Sequence, residues 1–326
     1  MHYYLSLYKE SKMNMKLIYW VGALAMLSAT QFVEAHAIAG NRYFPGTITF
    51  DDPAVADELI IPAWARYSQP NYDDNVVDNS AAWAFARLLT PTTAIGIDGG
   101  YTHRNWGPEQ TTGKTQVHVS VKTEVVRDEP DEFLAAASLA WGIGGSGSEK
   151  VGGNTPNTVA AGVYIGKGFG NLSDDWAAFR PFGITGAAVI ETPVSNESVS
   201  NLTINPSTNS LYPTTTQKGT VLHWGFALEY STLYLTDWFN GQPPSEEPLH
   251  QWVPLVEFAF DSSQGHKTTG TINPGISYVA QTWQIAIEAV RPLNDQYNHG
   301  IGVRAQLLLF LDDLLPSLFS NPVFHK

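Results

Sequence analysis

Nine ionisable side chains fall at strand-like spacing within segments that alternate polar with apolar residues: Asp98, Arg104, His118, Lys122, Glu124, Glu229, Glu257, Glu288 and Arg304. Successive side chains of an extended chain point to opposite faces, so residues two or four apart share a face. His118, Lys122 and Glu124 therefore project together, as do Asp98, Thr102 and Arg104. Charges gathered on the inner side of an enclosure have two uses. They form a constriction that sorts solutes by charge, or they pair into a salt-bridged filling that occludes the space. Both uses remain open at this level. Glu257 and Glu288, each near the middle of its segment, are placed to meet Arg304 on a neighbouring wall.

Covalent catalysis finds less support. The segment Tyr101–Gly107 (YTHRNWG) resembles loosely the histidine-bearing strand of outer-membrane phospholipases, but Arg104 and Asn105 follow His103 and no serine does. A serine nucleophile needs its base within hydrogen-bond reach, and the alternation puts His103 on the apolar, outward phase. A lipid-modifying enzyme centred on His103 is therefore the third reading in order. His223, His250, His266 and His299 are scattered without an HxxxH pair or a carboxylate cluster at ligand spacing. No catalytic, cofactor-binding or metal-ligating residue is assigned, and no cofactor is expected.

The elements that must carry these charges are β-strands. Gln116–Val126 (QVHVSVKTEVV) alternates almost without interruption, giving one wet and one apolar side. About twelve such segments lie near 57–67, 80–90, 93–105, 114–127, 133–146, 157–169, 178–191, 219–235, 250–262, 269–281, 283–294 and 300–311. An even number of antiparallel strands closing on themselves is the pattern of a bacterial transmembrane β-barrel. The expected fold is thus all-β, an antiparallel transmembrane barrel of about twelve strands. A soluble, secreted β-rich protein is the alternative at the level of fold.

Connections support the barrel. Short turns are expected at Thr90–Thr92, Arg127–Asp131 and Ala280–Thr282, and longer loops at 68–79, 106–113, 147–156 and 192–218. The last of these, rich in Ser, Thr and Asn, reads as a solvated surface excursion. Two connections on the short-turn side are long, 170–177 and 236–249, and are expected to hold short helices if the count of twelve is right.

Composition agrees. Charged residues make up 15% of the chain and aromatic residues 12%, with ten tryptophans; soluble domains carry roughly 25% charge. Alternation assigns Val117, Val119, Val121, Phe226, Leu228, Phe258, Ile276, Ile285, Ile287, Leu307 and Leu309 to lipid. Trp106, Trp141, Trp224, Trp252, Tyr278 and Trp283 fall near strand ends, where interfacial girdles form. A net charge of −13 argues against a nucleic-acid partner. The absence of cysteine excludes disulfides and thiolate metal sites.

At the N-terminus, Lys16, the apolar run Leu17–Leu27 and Ala35-His36-Ala37 follow the order of a secretory signal peptide. The expected division is a signal peptide with an upstream extension over 1–37, cleaved after Ala37, a lead segment 38–56, a barrel 57–311 and a tail 312–326. That places the protein in the bacterial outer membrane, with membrane lipid and a small-molecule solute as its partners. Whether 38–56 enters the lumen is open.

Three motifs carry a resemblance: Val253-Pro254-Leu255-Val256-Glu257-Phe258, Ile272-Asn273-Pro274-Gly275-Ile276-Ser277-Tyr278, and the strand running from Gln284 to Val290-Arg291-Pro292-Leu293-Asn294. Over about residues 220–311 the chain resembles the outer-membrane family named for the meta-pathway of phenol degradation. The resemblance implies a channel or transporter barrel for a small solute, aromatic or hydrophobic, and carries over no individual residue role. The chain departs from the usual barrel ending, with Phe324 two places before the final Lys326. A nonconducting barrel that is structural or binds a partner through its loops is the second reading.

Overall fold

The computed structural model describes residues 36–68, 76–106, 109–205, 210–235, 248–293 and 301–324. Residues 1–35, most of the signal-peptide expectation, lie outside that range, as do Asn294, His299 and Lys326. None of the described helices is long and apolar enough to cross a membrane.

Twelve strands form the wall: β3 (Glu58–Ser68), β4 (Val76–Thr90), β5 (Thr93–Trp106), β7 (Val117–Asp128), β8 (Phe133–Ile143), β9 (Thr158–Gly168), β10 (Phe182–Pro193), β13 (Val221–Tyr230), β14 (Gln251–Ser263), β15 (Thr269–Val279), β16 (Trp283–Pro292) and β17 (Gly302–Phe310). Every neighbouring pair is antiparallel. The sheet closes because β17 pairs with β3, with Arg304 opposite Ala65 and Phe310 opposite Glu58. Closure leaves no unpaired edge, the condition for a sheet to stand in lipid.

The expected strands are found with shifted ends. Residues 144–146 leave the wall after β8, and 231–235 leave it after β13. Two expected loops contain strands. Within 106–113, β6 (Glu109–Lys114) folds back on the upper half of β5, and Thr115-Gln116 then lead into β7, which pairs with the lower half. Within 192–218, β11 (Ser198–Asn205) and β12 (Ser210–Gln217) make a separate hairpin. Alternation in these segments has no buried apolar face to reveal it, since both lie beyond the wall. The long connection 170–177 does hold a helical turn, a 3₁₀ segment at Asp174–Phe179. Beyond β17 the chain turns through two short helices, α1 (Leu311–Leu314) and α2 (Pro316–Phe319).

The two faces of the wall differ as alternation requires. Leu139 is 57% exposed and Ile287 52%, with Ile97, Val121, Ile165 and Leu228 also exposed on the outer face. Burying such a surface is favourable at roughly 25 cal/mol per Å², and a continuous apolar belt around a closed sheet is the surface a bilayer covers. Near the end where the short turns lie, Trp252 packs on Tyr278 at 4.9 Å and Tyr278 on Trp283 at 5.6 Å. Phe182 stacks edge-on with Tyr230 in the same tier at 5.0 Å. This is the girdle of one interface.

The interior is occupied by residues 36–57. Ile38–Ala39 (β1) and Arg42–Tyr43 (β2) form a minimal hairpin. Ala39, Phe44 and Leu134 are fully buried together, and Tyr43 packs with Val279, Leu308 and Phe310. The lead segment is therefore a plug inside the barrel. Glycines on the inner wall admit it: a Cβ on Gly225 would lie 2.2 Å from the Phe50 ring, and one on Gly166 2.9 Å from Pro53.

Candidate functional site: the plugged lumen

Register places all nine charged candidates on the inward face. Glu257 stands opposite Asn273, Glu288 opposite Arg304, Glu229 opposite Leu255, and Asp98 opposite both Ala84 and His118. Most of the charges are engaged by the plug, by one another or by neighbouring side chains of the wall.

The densest junction centres on Thr49 of the plug. Its hydroxyl donates to Glu257 Oε2 at 2.5 Å and accepts from Arg304 Nη1 at 2.7 Å and Asn273 Nδ2 at 3.2 Å. Glu257 and Asn273 are completely buried. The direct Glu257–Arg304 meeting expected from sequence is replaced by this bridge. A hydroxyl can donate to a carboxylate while accepting from cations and amides, and sequence could not show which plug residue would arrive. Lower down, Tyr43 donates to Gln284 Oε1 at 2.5 Å, and Gln284 Nε2 donates to the Gly46 carbonyl at 2.7 Å.

On the opposite arc Lys122 Nζ contacts Asp51 Oδ2 at 2.7 Å and the Asp52 carbonyl at 2.5 Å, with Tyr164 beneath it at 4.9 Å. Burial, with Asp51 and Glu124 nearby, raises the Asp52 carboxyl to about 6, against the pull of Lys122 and the Ala54 N–H. Glu124 accepts from Nε and Nη2 of Arg127, whose Nη1 donates to the Ile38 carbonyl at 2.5 Å. Arg104 grips Asp78 through two bonds of 2.8 Å, and His118 meets Asp98 at 3.0 Å. Glu229 accepts from Thr185 at 2.7 Å.

At the base, Arg42 donates to the carbonyls of Pro181 and Arg180 and lies 3.5 Å from Glu132. Glu132 sits in the left-handed region at φ 46. It also accepts from the Gly170 N–H at 2.9 Å and from the Tyr234 hydroxyl. Burial holds its carboxyl above the ordinary range, with Arg42 opposing. Sequence reasoning missed Thr49, Arg42 and Glu132, because neither the plug nor the connections alternate. The one available signal was the turn-rich, hydrogen-bonding lead itself.

Above the plug tip lies a vestibule of 550 Å³ lined by Tyr67, Tyr164, His223, Asp261, Thr271 and Arg304 among others. A second cavity of 340 Å³ runs beside the plug. Thr49, Phe50 and Asp51 border both. Among the described residues no group of three or more His, Asp or Glu is arranged to hold a metal. His103 lies on the outward face, its Nδ1 2.8 Å from Thr112 Oγ1, so its hydrogen-bonded partner is threonine and not serine.

A polar, plugged interior within an apolar exterior defines the class: a twelve-stranded transmembrane β-barrel with an internal plug. No protein-family model matches the chain, and no curated protein matches it. Among solved structures it is similar to an outer membrane channel from Pseudomonas putida F1, with TM-score 0.47, 8% identity, and coverage of 82% of this chain and 99% of that one. It is also similar to the NanC porin, with TM-score 0.42, 9% identity, 77% and 98% coverage. The Ralstonia pickettii toluene transporter TbuX gives TM-score 0.38, 10% identity, 87% and 98% coverage. Likenesses of this degree assign no function.

Proposed function

We propose that the protein is a channel of the bacterial outer membrane that passes a small, mostly apolar solute, aromatic or otherwise hydrophobic, as the resemblance of its C-terminal motifs to the phenol meta-pathway family implies. The observation that carries this reading is a vestibule above the plug, lined by apolar side chains such as Phe50, Val189, Phe260 and Val290 with a few polar groups among them, inside a wall whose outer face is apolar. A barrel serving only as structure has no need of a 550 Å³ cup lined by Tyr67, Tyr164, His223 and Arg304. Cavities of this size fall in the ~300–1,000 Å³ range of small-molecule sites. A signal peptide cleaved after Ala37 supplies the route to that membrane and leaves residues 38–57 of the interior segment as the first mature part of the chain.

A nonconducting barrel is the second reading, favoured by the number of hydrogen bonds that seat residues 42–52. Single-channel recording in planar bilayers separates the two. The mature protein is expected to give salt-dependent current steps, altered by Glu257→Gln or Glu288→Gln. Silence from protein shown to be folded, both with residues 38–56 and without them, would reject the channel.

A further inference from the structure

The plug is seated off-centre. Thr49, Gly46 and Tyr43 bind Glu257, Asn273, Arg304 and Gln284, all on β14–β17, and Phe50 packs on Gly225 of β13. On that arc the inward residues are sealed: Ser277 and Gln284 are completely buried, and Glu288 and Ala286 nearly so. The arc formed by β3, β4 and the lower half of β5 differs in kind. Six of its inward positions, Ala63, Ala82, Ala84, Ala86, Ala94 and Gly96, carry nothing larger than a methyl group, and the 340 Å³ cavity lies between them and residues 46–56, with Glu58, Ile60, Gln306 and Leu308 completing the lining on the β17 side. Ala82 points inward by register yet is exposed.

This crevice has defined ends. Thr49–Asp51 border both the crevice and the vestibule and stand between them. At the end nearest the Thr90–Thr93 turn, Val55, Leu88 and Ala94 form a buried apolar cluster, and Asp57 binds the Leu88 N–H and Arg87 just beyond it. Three polar residues, Asp98, Ser120 and Lys122, border one flank, Asp98 held by His118 and Lys122 by Asp51. Methyl groups and bare backbone favour a compact apolar solute with one hydrogen-bonding group. An apolar closure restricts, without abolishing, the passage of water and ions while yielding to such a solute.

We propose that the solute passes the plug along the alanine–glycine wall of β3–β5, while the plug stays seated on β13–β17, and that Val55 and Leu88 are the closure at the far end of this path. The inference rests on the channel reading above. It assigns permeation to one arc of the lumen, and makes Ala82, Ala84, Gly96 and Leu88 the residues that set which solutes fit.

The absence of cysteine allows single thiols to be introduced without background. Ala84→Cys stands in the crevice and Ser277→Cys behind the seated plug. The folded protein is treated with a charged, water-soluble methanethiosulfonate, and both labelling rate and single-channel current are recorded. Ala84→Cys is expected to label at least about tenfold faster, as accessible and protected sites differ in opening free energy, and its modification to reduce the current. Ala82→Cys serves as a second crevice position should the first variant fail to fold. Leu88→Ala is expected to raise the current. Equal labelling at the two arcs, or current indifferent to crevice modification, overturns the path while leaving the channel intact. Silence of both the wild type and Leu88→Ala overturns the channel reading instead, and the labelling rates then still report whether the crevice is open to water.

Discussion

Single residues decide how firmly the plug is held. Thr49→Val keeps the shape of the plug tip but withdraws the one oxygen to which Glu257, Asn273 and Arg304 all turn. Leaving buried polar groups unpaired costs about 1–3 kcal/mol, so proteolysis within residues 45–56 of this variant should be faster than in the wild type. Gly225→Ala acts through space: its Cβ would sit 2.1 Å from the Phe258 carbonyl oxygen, which as backbone cannot yield. Overpacking of this kind costs about 1–3 kcal/mol and should lower the thermal midpoint of the folded barrel. Asp52 adds a dependence on pH. Its carboxyl titrates near 6 in the folded protein, above the ~4 of an unfolded chain, so the folded state binds the proton more tightly. That contribution to stability is complete below about pH 4 and is lost as pH rises through 6. Plug protection against protease should therefore fall across this window in the wild type, and fall less in Asp52→Asn; equal profiles would show that Asp52 is not the group responsible.

At the scale of elements, alternation revealed the wall and missed what fills it. Gln116–Val126 has a wet and a dry face because one side meets lipid and the other the lumen, and the same contrast exposes each of the twelve strands. The inward direction of Lys122, Glu257 and Arg304 was legible for the same reason. Their partners were not, because Thr49 and Asp51 belong to a segment fixed by contacts more than 70 residues away in sequence, and local pattern carries no trace of such contacts. β6 and the β11–β12 hairpin escaped notice because they stand beyond the wall with polar residues on both faces. The outward face makes its own prediction. Ile287→Arg puts a charge in the exposed apolar belt of β16, at a cost of about 2–4 kcal/mol near the bilayer midplane. Refolding into lipid vesicles should show that loss, whereas Ser120→Arg, pointing into the crevice, should show less of it and alter the current instead.

For the molecule as a whole, the wall and the plug are joined by bonds that span nearly the length of the chain. Thr49 reaches Glu257 across 208 residues and Arg304 across 255, and Tyr43 reaches Gln284 across 241. A segment that precedes the whole wall in sequence therefore finds its seat on the wall's last four strands. Closing loops of this length carries an entropic cost that must be met before any of these contacts is gained, and topologies dominated by distant contacts form slowly. Residues 43–50 therefore have no complete seat until β14–β17 stand side by side, and β17, the strand that closes the wall on β3, also carries Arg304 to the plug, so wall closure and plug seating share one strand.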